Sequence, residues 1–263
     1  MPSTTTAKAD QPKYAAPALD KGLDILELLS EAPSPLTLSQ IAKALERNAN
    51  EIFRMIVTLE QRGYLQVDES DRYCLTLKMF ELAHRHQPIR SLVSTALPLM
   101  RECANRAKQS CHLTVYEGGR LIVVASVESP DRWVFGLKVG VVVGLSDTAS
   151  GLVLLSFHNE IERARILAAH VKLEGEAEVD PGQLERQIRA TREQGYALMP
   201  SKQIRGVTNI AYPIFSPEGT ARAVIQVPYI ERVDNVVNPD IDAVSAVLQD
   251  VSACLSRLMG FSG

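Results

Sequence analysis

Little in this chain of 263 residues marks it as a metal, redox or membrane protein. Its four cysteines, Cys74, Cys103, Cys111 and Cys254, include no CxxC pair, so neither structural zinc nor a disulfide framework is expected. Each sits among apolar residues, which suits a buried small hydrophobe. His84 and His86 stand two apart on an expected helix, leave it on different faces, and make a poor chelate. Apolar runs fall short of the roughly 18–20 residues of a membrane span, and no basic segment leads into an apolar one at the start. A cytoplasmic protein without membrane contact is therefore expected. There is no GxGxxG or P-loop, no nucleophile elbow and no pair of carboxylates set in apolar sequence. No cofactor is expected, and neither is an enzyme.

Positive charge is also scarce. The net charge is −3, and from Ala18 to Pro88 eight lysines and arginines face eleven acids. Tight, sequence-blind binding to nucleic acid rests on neutralising phosphates, and this composition argues against it. A nucleic-acid reader built from it would take its specificity from base contacts. It would gather Arg47, Arg54, Arg62 and Arg72 on one face, with the acids of Asp20–Glu31 behind.

What the chain does have is the stretch TLSQIAKALERNANEIFRMIVTLEQRG, from Thr37 to Gly63. Thr37 stands three residues before Gln40, and Asn48 three before Glu51. Both pairs read as capping boxes opening short helices. The intervening Ala44–Arg47 leaves room only for a tight turn, giving a helix-turn-helix. Ile52, Met55, Ile56 and Leu59 recur at helical spacing and are expected inside. Asn50, Phe53, Arg54 and Val57 fall on the other side, where Asn suits adenine, Arg suits guanine and an apolar group suits a thymine methyl. An ordinary helical hairpin with a solvated face fits the same pattern. Tyr64–Val67 and Tyr73–Leu77 then read as strands around the turn Asp68–Arg72. A hairpin after such a helix is a wing, with Arg72 near its tip. The candidate DNA contacts are Arg47, Asn48, Asn50, Glu51, Phe53, Arg54 and Arg72.

The runs ALDKGLDILELL (residues 18–29), LTLSQIAKAL and IFRMIVTLEQRGYL resemble the IclR family of bacterial transcriptional regulators. So do GLVLLSF and EQGYAL…RGVTNIAYPI, in the same order along the chain. The resemblance implies an N-terminal winged helix-turn-helix and a C-terminal, GAF-like effector-binding domain, assembling as homodimers or homotetramers.

The expected organisation is a disordered tail at 1–17, a winged helix-turn-helix at 18–76, a linker helix at 77–96 and an effector-binding domain at 97–263. The linker helix is apolar on one side and is expected to meet a partner chain. Pro98 reads as the first residue of a new helix. Beyond it, Cys111–Tyr116, Arg120–Val127 and Trp133–Val139 read as strands, and Gly140–Ser146 as a loop. Helices are expected at Thr148–Phe157, Ile161–His170 and Gln183–Gln194, with Val171–Pro181 acidic and exposed between the last two. Strands at Tyr196–Met199, Gly206–Phe215 and Ala221–Tyr229 and a helix at Pro239–Leu258 complete an α+β domain with a mainly antiparallel sheet.

The suggestive chemistry lies in Ser146-Asp147-Thr148-Ala149-Ser150-Gly151, where small hydroxyl residues meet a helix start that favours an anion. Routine capping by Ser146 or Asp147 satisfies the same amides. The resemblance implies that a small acid sits at this loop against facing strands. Carried over by residue, the loop positions are Ala149 and Ser150. The usual cysteine is Asn209, the usual serine Gln226, and the position two further on Pro228. An acidic position after the GYA motif is Met199, and a lysine after the glycine is Leu152. These departures, with Trp133 as an apolar wall, suggest a larger hydroxylated or aromatic acid. The expected ligand contacts are Trp133, Ser146, Thr148, Ala149, Ser150, Gly151, Met199, Asn209, Gln226 and Pro228.

The leading expectation is a ligand-responsive regulator that binds a near-palindromic double-stranded operator as a dimer or tetramer and senses a small carboxylic acid. The alternatives are a small-molecule-binding adaptor, or an acyl or ester hydrolase whose N-terminal hairpin serves only assembly.

Overall fold

The computed structural model describes residues 16–85, 87–234, 236 and 238–262. The expected tail thus lies largely outside the described residues, although Pro17 already opens the first helix at its first position. The chain divides into two compact units, Met1–His86 and Gln87–Gly263.

The first unit is three helices and a small sheet, followed by a fourth helix. Helix α1 spans Pro17–Glu31, strand β1 Leu36–Thr37, α2 Leu38–Ala44 and α3 Ala49–Gln61. Strands β2, Leu65–Val67, and β3, Arg72–Leu75, form the wing, and α4 spans Lys78–Arg85. The sheet runs β1-β3-β2, all antiparallel. The first capping box is as expected. Gln40 N–H donates to Thr37 Oγ1 at 3.3 Å and Thr37 N–H donates to Gln40 Oε1 at 2.8 Å. The second is not. Asn48 Oδ1 accepts from Asn50 N–H at 2.9 Å, while Glu51 leaves the cap and pairs with Lys21 of α1 at 2.7 Å. An ammonium from a packed helix competes successfully with one backbone N–H for the carboxylate. Ile25, Leu29, Ile41, Ile52, Ile56 and Leu65 form the core. Met55 and Leu59 are only half-buried, because they wall an apolar hollow between α1, α3 and α4.

In the second unit, helix α5 spans Gln87–Ala107 and carries Pro98 inside it rather than at its start. Proline removes one helical hydrogen bond. The helix runs on because Leu92, Ala96, Met100 and Cys103 bury one continuous stripe. Strands β4 (Cys111–Glu117), β5 (Arg120–Val127) and β6 (Val142–Val143) come next, followed by α6 (Ala149–Ser156), α7 (Glu160–Ala169) and α8 (Pro181–Gln194). Strands β7 (Ala197–Pro200), β8 (Val207–Phe215) and β9 (Ala221–Ile230) precede the final helix α9 (Ile241–Leu258). The six strands form one antiparallel sheet ordered β6-β5-β4-β9-β8-β7. The strand expected at Trp133–Val139 is absent. The edge of β5 pairs instead with the glycine-bounded segment beyond it, where Val123 N–H donates to Val141 O at 2.9 Å and Gly140 N–H donates to Val123 O at 2.8 Å.

Period-two alternation gives the sheet two unlike faces. Leu113, Val115, Ile210, Ile225 and Val227 turn toward α5 and α9. Leu121, Val123, Ala211 and Val224 turn toward α6 and α8, with Val153 and Leu155 packed on them. On this second face the apolar pattern is interrupted by His112, Asn209 and Gln226, all buried. The fold therefore delivers three polar side chains to one spot beneath α6.

Candidate functional site

In the first unit the outward side of α3 carries Asn50, Phe53 and Arg54, all exposed, with Phe53 at 48%. Val57 is half-buried beside them. Such an exposed apolar ring between two hydrogen-bonding side chains suits a groove floor of base edges and methyls. The other expected contacts are already engaged. Asn48 caps α3, and Glu51 is held below the ordinary carboxylate range by its hydrogen bond to Lys21. Arg47 reaches Asp24 of α1 at 3.3 Å. Arg72 pairs with Asp68 across the wing turn at 2.8 Å. Among the described residues Arg54 has no ion pair, and its guanidinium donates no hydrogen bond.

In the second unit, α6 is capped by Thr148, whose Oγ1 accepts from Gly151 N–H at 3.1 Å and donates to Gly144 O at 2.6 Å. Capping is thus present, but by Thr148 and not by Ser146 or Asp147. At the second residue of α6, Ser150 presents two donors to a single acceptor. Its N–H lies 3.1 Å and its hydroxyl 2.7 Å from Gln226 Oε1. Gln226 Nε2 in turn donates to Asn209 Oδ1 at 3.0 Å. His112 stands directly opposite Gln226 in the β4–β9 ladder, and Asn209 opposite Pro228 in the β8–β9 ladder. A cavity of about 60 Å³ lies among these residues, bordered also by Phe135, Leu137, Ile204 and Val207. Ligand pockets for small molecules are usually about 300–1,000 Å³, so a ligand entering here must displace side chains.

The loop leading into α6 is held from outside. Glu176, buried in the segment between α7 and α8, accepts from Leu145 N–H at 3.0 Å, Ser146 N–H at 3.3 Å and Leu173 N–H at 3.1 Å. It also takes the Ser146 hydroxyl at 3.3 Å and His170 Nε2 at 2.8 Å. Burial pushes this carboxyl up, but the Leu173 amide, His170 and the Ser146 and Leu145 amides outweigh it and hold it below the ordinary value. The neighbouring Asp147 is also buried and accepts from Ala177 N–H at 3.0 Å. Two glycines make these approaches possible. A Cβ on Gly144 would lie 2.0 Å from Asp147 Oδ1, and one on Gly151 would lie 1.9 Å from Leu145 O.

The segment Val171–Pro181 is therefore not simply exposed, since one of its acids is the clasp on the loop. Of the residues expected to line a ligand site, Thr148, Ser150, Asn209, Gln226 and Pro228 meet at the cavity. Ser146 turns away to Glu176, Ala149 is wholly buried in the α6 core, and Gly151 serves close packing. Met199 lies opposite Asn209 in the β7–β8 ladder but does not reach the cavity. Trp133 is misplaced as an apolar wall. It is 71% exposed and lines a neighbouring hollow with Asp131 and Arg232, while Phe135 and Leu137 provide the wall. His112 was missed, although alternation in CHLTVYE sets it with Thr114 against Cys111, Leu113 and Val115.

Among the described residues there is no cluster of His, Cys, Asp and Glu able to hold a metal ion, and no helix long and apolar enough to cross a membrane.

A winged helix-turn-helix in one unit, with a small pocket beneath a helix start in the other, is the architecture of a ligand-responsive transcription regulator. The IclR helix-turn-helix domain matches residues 18–69, and the bacterial transcriptional regulator IclR C-terminal domain matches residues 86–257. The chain belongs to the IclR family. It is similar to the HTH-type transcriptional regulator XynR of Escherichia coli, 24% identical over 93% of this chain and 97% of that one. BhcR of Paracoccus denitrificans is 29% identical over 89% and 86% of the two chains. The fold is shared with an IclR regulator from Alicyclobacillus acidocaldarius (TM-score 0.74, 23% identity, 94% and 100% of the two chains). It is also shared with an IclR homologue from Microbacterium hydrocarbonoxydans solved with 4-hydroxybenzoate (TM-score 0.75, 22% identity, 92% and 98%). The relatives are named as regulators, and this chain is a regulator rather than an enzyme.

Proposed function

We propose that this regulator binds a near-palindromic operator as a symmetric dimer, or a dimer of dimers, through the outward face of α3. We further propose that its C-terminal unit senses a small carboxylic acid at the start of α6. The observation that carries the second reading is Ser150. Its amide and hydroxyl converge on one oxygen, that of Gln226, in a buried place at a helix N-terminus. A carboxylate oxygen offers the same acceptor with more charge and fits both Ser150 donors in place of the carboxamide. The 4-hydroxybenzoate held by the Microbacterium homologue is an acid of the class expected. Thermal-shift screening against a panel that includes benzoate, 4-hydroxybenzoate, pyruvate and glyoxylate tests this reading. Ser150→Ala should keep the fold and weaken the binding of the active acid by about 0.5–3 kcal/mol, the range for one hydrogen bond, upper end if charged. Ser150→Leu should abolish the response while operator affinity stays at the wild-type value. Wild-type acid binding in both variants would show that Ser150 only packs.

The dimer reading rests on the first unit. Leu19 and Leu23 of α1 and Met79 and Leu82 of α4 are each at least 40% exposed, and all four line the apolar hollow beside Met55 and Leu59. An exposed apolar patch of this kind fits an interface with a second copy. Leu23→Glu with Met79→Glu should shift the protein toward smaller species in sedimentation and weaken operator binding more than tenfold. A wild-type protein that sediments as a monomer at micromolar concentration would contradict the dimer.

A further inference from the structure

The cavity under α6 holds a polar group that none of these roles uses. His112 is 1% exposed, lines the cavity, and its Nδ1 is buried with no hydrogen-bond partner. Leaving such an atom unpaired costs free energy, and a retained unpaired group invites a ligand to complete it. Its neighbours do not. Gln226, directly across the ladder, spends its oxygen on Ser150 and its amide on Asn209.

The charge balance of the pocket sharpens the point. The elements around the ring present Ser150 from α6, Gln226 from β9, Asn209 from β8, Phe135 and Leu137 from the segment before β6, and Ser201, Gln203 and Ile204 from the segment after β7. None of these is charged, and among the described residues of the lining His112 is the one titratable group. Lys138, Lys202 and Arg205 follow or sit within those segments but are exposed and do not line the cavity. Asp147 precedes α6 and faces Gly144 and Ala177 instead. An acid entering this pocket thus finds one helix N-terminus, several dipoles and, among the described residues, no fixed cation. Burying an unpaired carboxylate on those terms is expensive.

We propose that His112 is a ligand-contacting residue of this pocket, and that a carboxylic acid binds there together with one proton taken from solvent by the His112 ring. The inference rests on the pocket reading above and deepens it. In the free protein, burial pushes the ring down to about 4, so it is neutral at pH 7. A carboxylate placed beside it raises that value in the complex. Between the two values the complex holds one proton more than the free protein. Affinity then rises as pH falls, by up to about tenfold per pH unit. Above both values the ring is neutral in both states and the dependence vanishes.

The test uses the full chain with benzoate and 4-hydroxybenzoate as probes. Calorimetry in phosphate and in Tris, buffers of unlike ionisation enthalpy, counts the protons taken up between pH 5.5 and 8. The wild type should take up a proton and bind more tightly as pH falls, whereas the neutral 4-hydroxybenzamide should bind without uptake. His112→Gln keeps a hydrogen-bonding side chain that cannot titrate, so uptake should fall to zero and the pH profile should flatten. Probe binding that Ser150→Leu abolishes, yet with no proton uptake or with uptake unchanged in His112→Gln, overturns the role of His112 and leaves the pocket in place. If neither probe binds, or Ser150→Leu binds as the wild type does, the pocket reading fails and this inference with it.

Discussion

Glu176→Ala should lower the stability of the C-terminal unit by about 3–5 kcal/mol, because several buried donors lose their acceptor at once and each costs about 1–3 kcal/mol when left unpaired. The Glu176 side chain is 1% exposed and its partner His170 11%. Truncation strands the N–H groups of Leu145, Ser146 and Leu173 as well as the His170 ring. For a unit of this size the loss corresponds to a fall in melting temperature of roughly 6–20 °C. The same substitution should weaken any acid bound at Ser150, because Leu145 and Ser146 lead directly into α6. Acid reproduces part of the effect. The folded carboxyl sits below its ordinary value, so its stabilisation is complete above that ordinary value and fades as pH falls through the lower, folded one. Thermal unfolding of the full chain from pH 7 to pH 3 should show this loss in the wild type and less of it in Glu176→Gln, which titrates at no pH. A Glu176→Ala protein that melts within 2 °C of wild type would mean that water replaces the clasp at little cost.

The clasp also shows where reading a sequence stops. Ile52 and Ile56 were legible as core because helical spacing is a local property, and both are fully buried. Strands β4, β5, β8 and β9 were legible because alternation and glycine turns are local too. Glu176 was not, since an acidic run looks solvated until a loop 30 residues away in sequence brings its amides to one carboxylate. The failure at Glu51 is of the same kind, because Lys21 competes from another helix. Trp133 was misjudged for a different reason. In a segment that joins no ladder, no pleat decides which side chains turn inward, and Phe135 and Leu137 do so instead. Asn209 and Gln226 were placed through family resemblance, and the structure joins them by a hydrogen bond. His112 needed only the alternation of its own strand, which sets it with Thr114 against Cys111, Leu113 and Val115.

The outward face of α3 should yield the largest single loss of operator binding at Arg54. A guanidinium bidentate to guanine contributes about 1–3 kcal/mol of discrimination. A symmetric dimer makes the contact twice, so Arg54→Ala should cost about 2–6 kcal/mol per palindromic site. Preference should relax at one base pair in each half-site. Arg54 can deliver this energy because, among the described residues, its side chain has no partner within the protein to leave and no ion pair to break. Arg72 and Arg47 differ, since each must first leave a carboxylate, Asp68 at 2.8 Å and Asp24 at 3.3 Å. Arg72→Ala should therefore weaken specific and random DNA alike, by less than Arg54→Ala, and reduce the salt dependence by about 0.9 per lost phosphate contact. Asp68→Ala frees Arg72 and should tighten non-specific binding. Fluorescence anisotropy on operator and scrambled duplexes at two salt concentrations separates these outcomes. Equal losses on both duplexes for Arg54→Ala would reduce that residue to a phosphate contact, and unchanged affinity would remove this face of α3 from the operator.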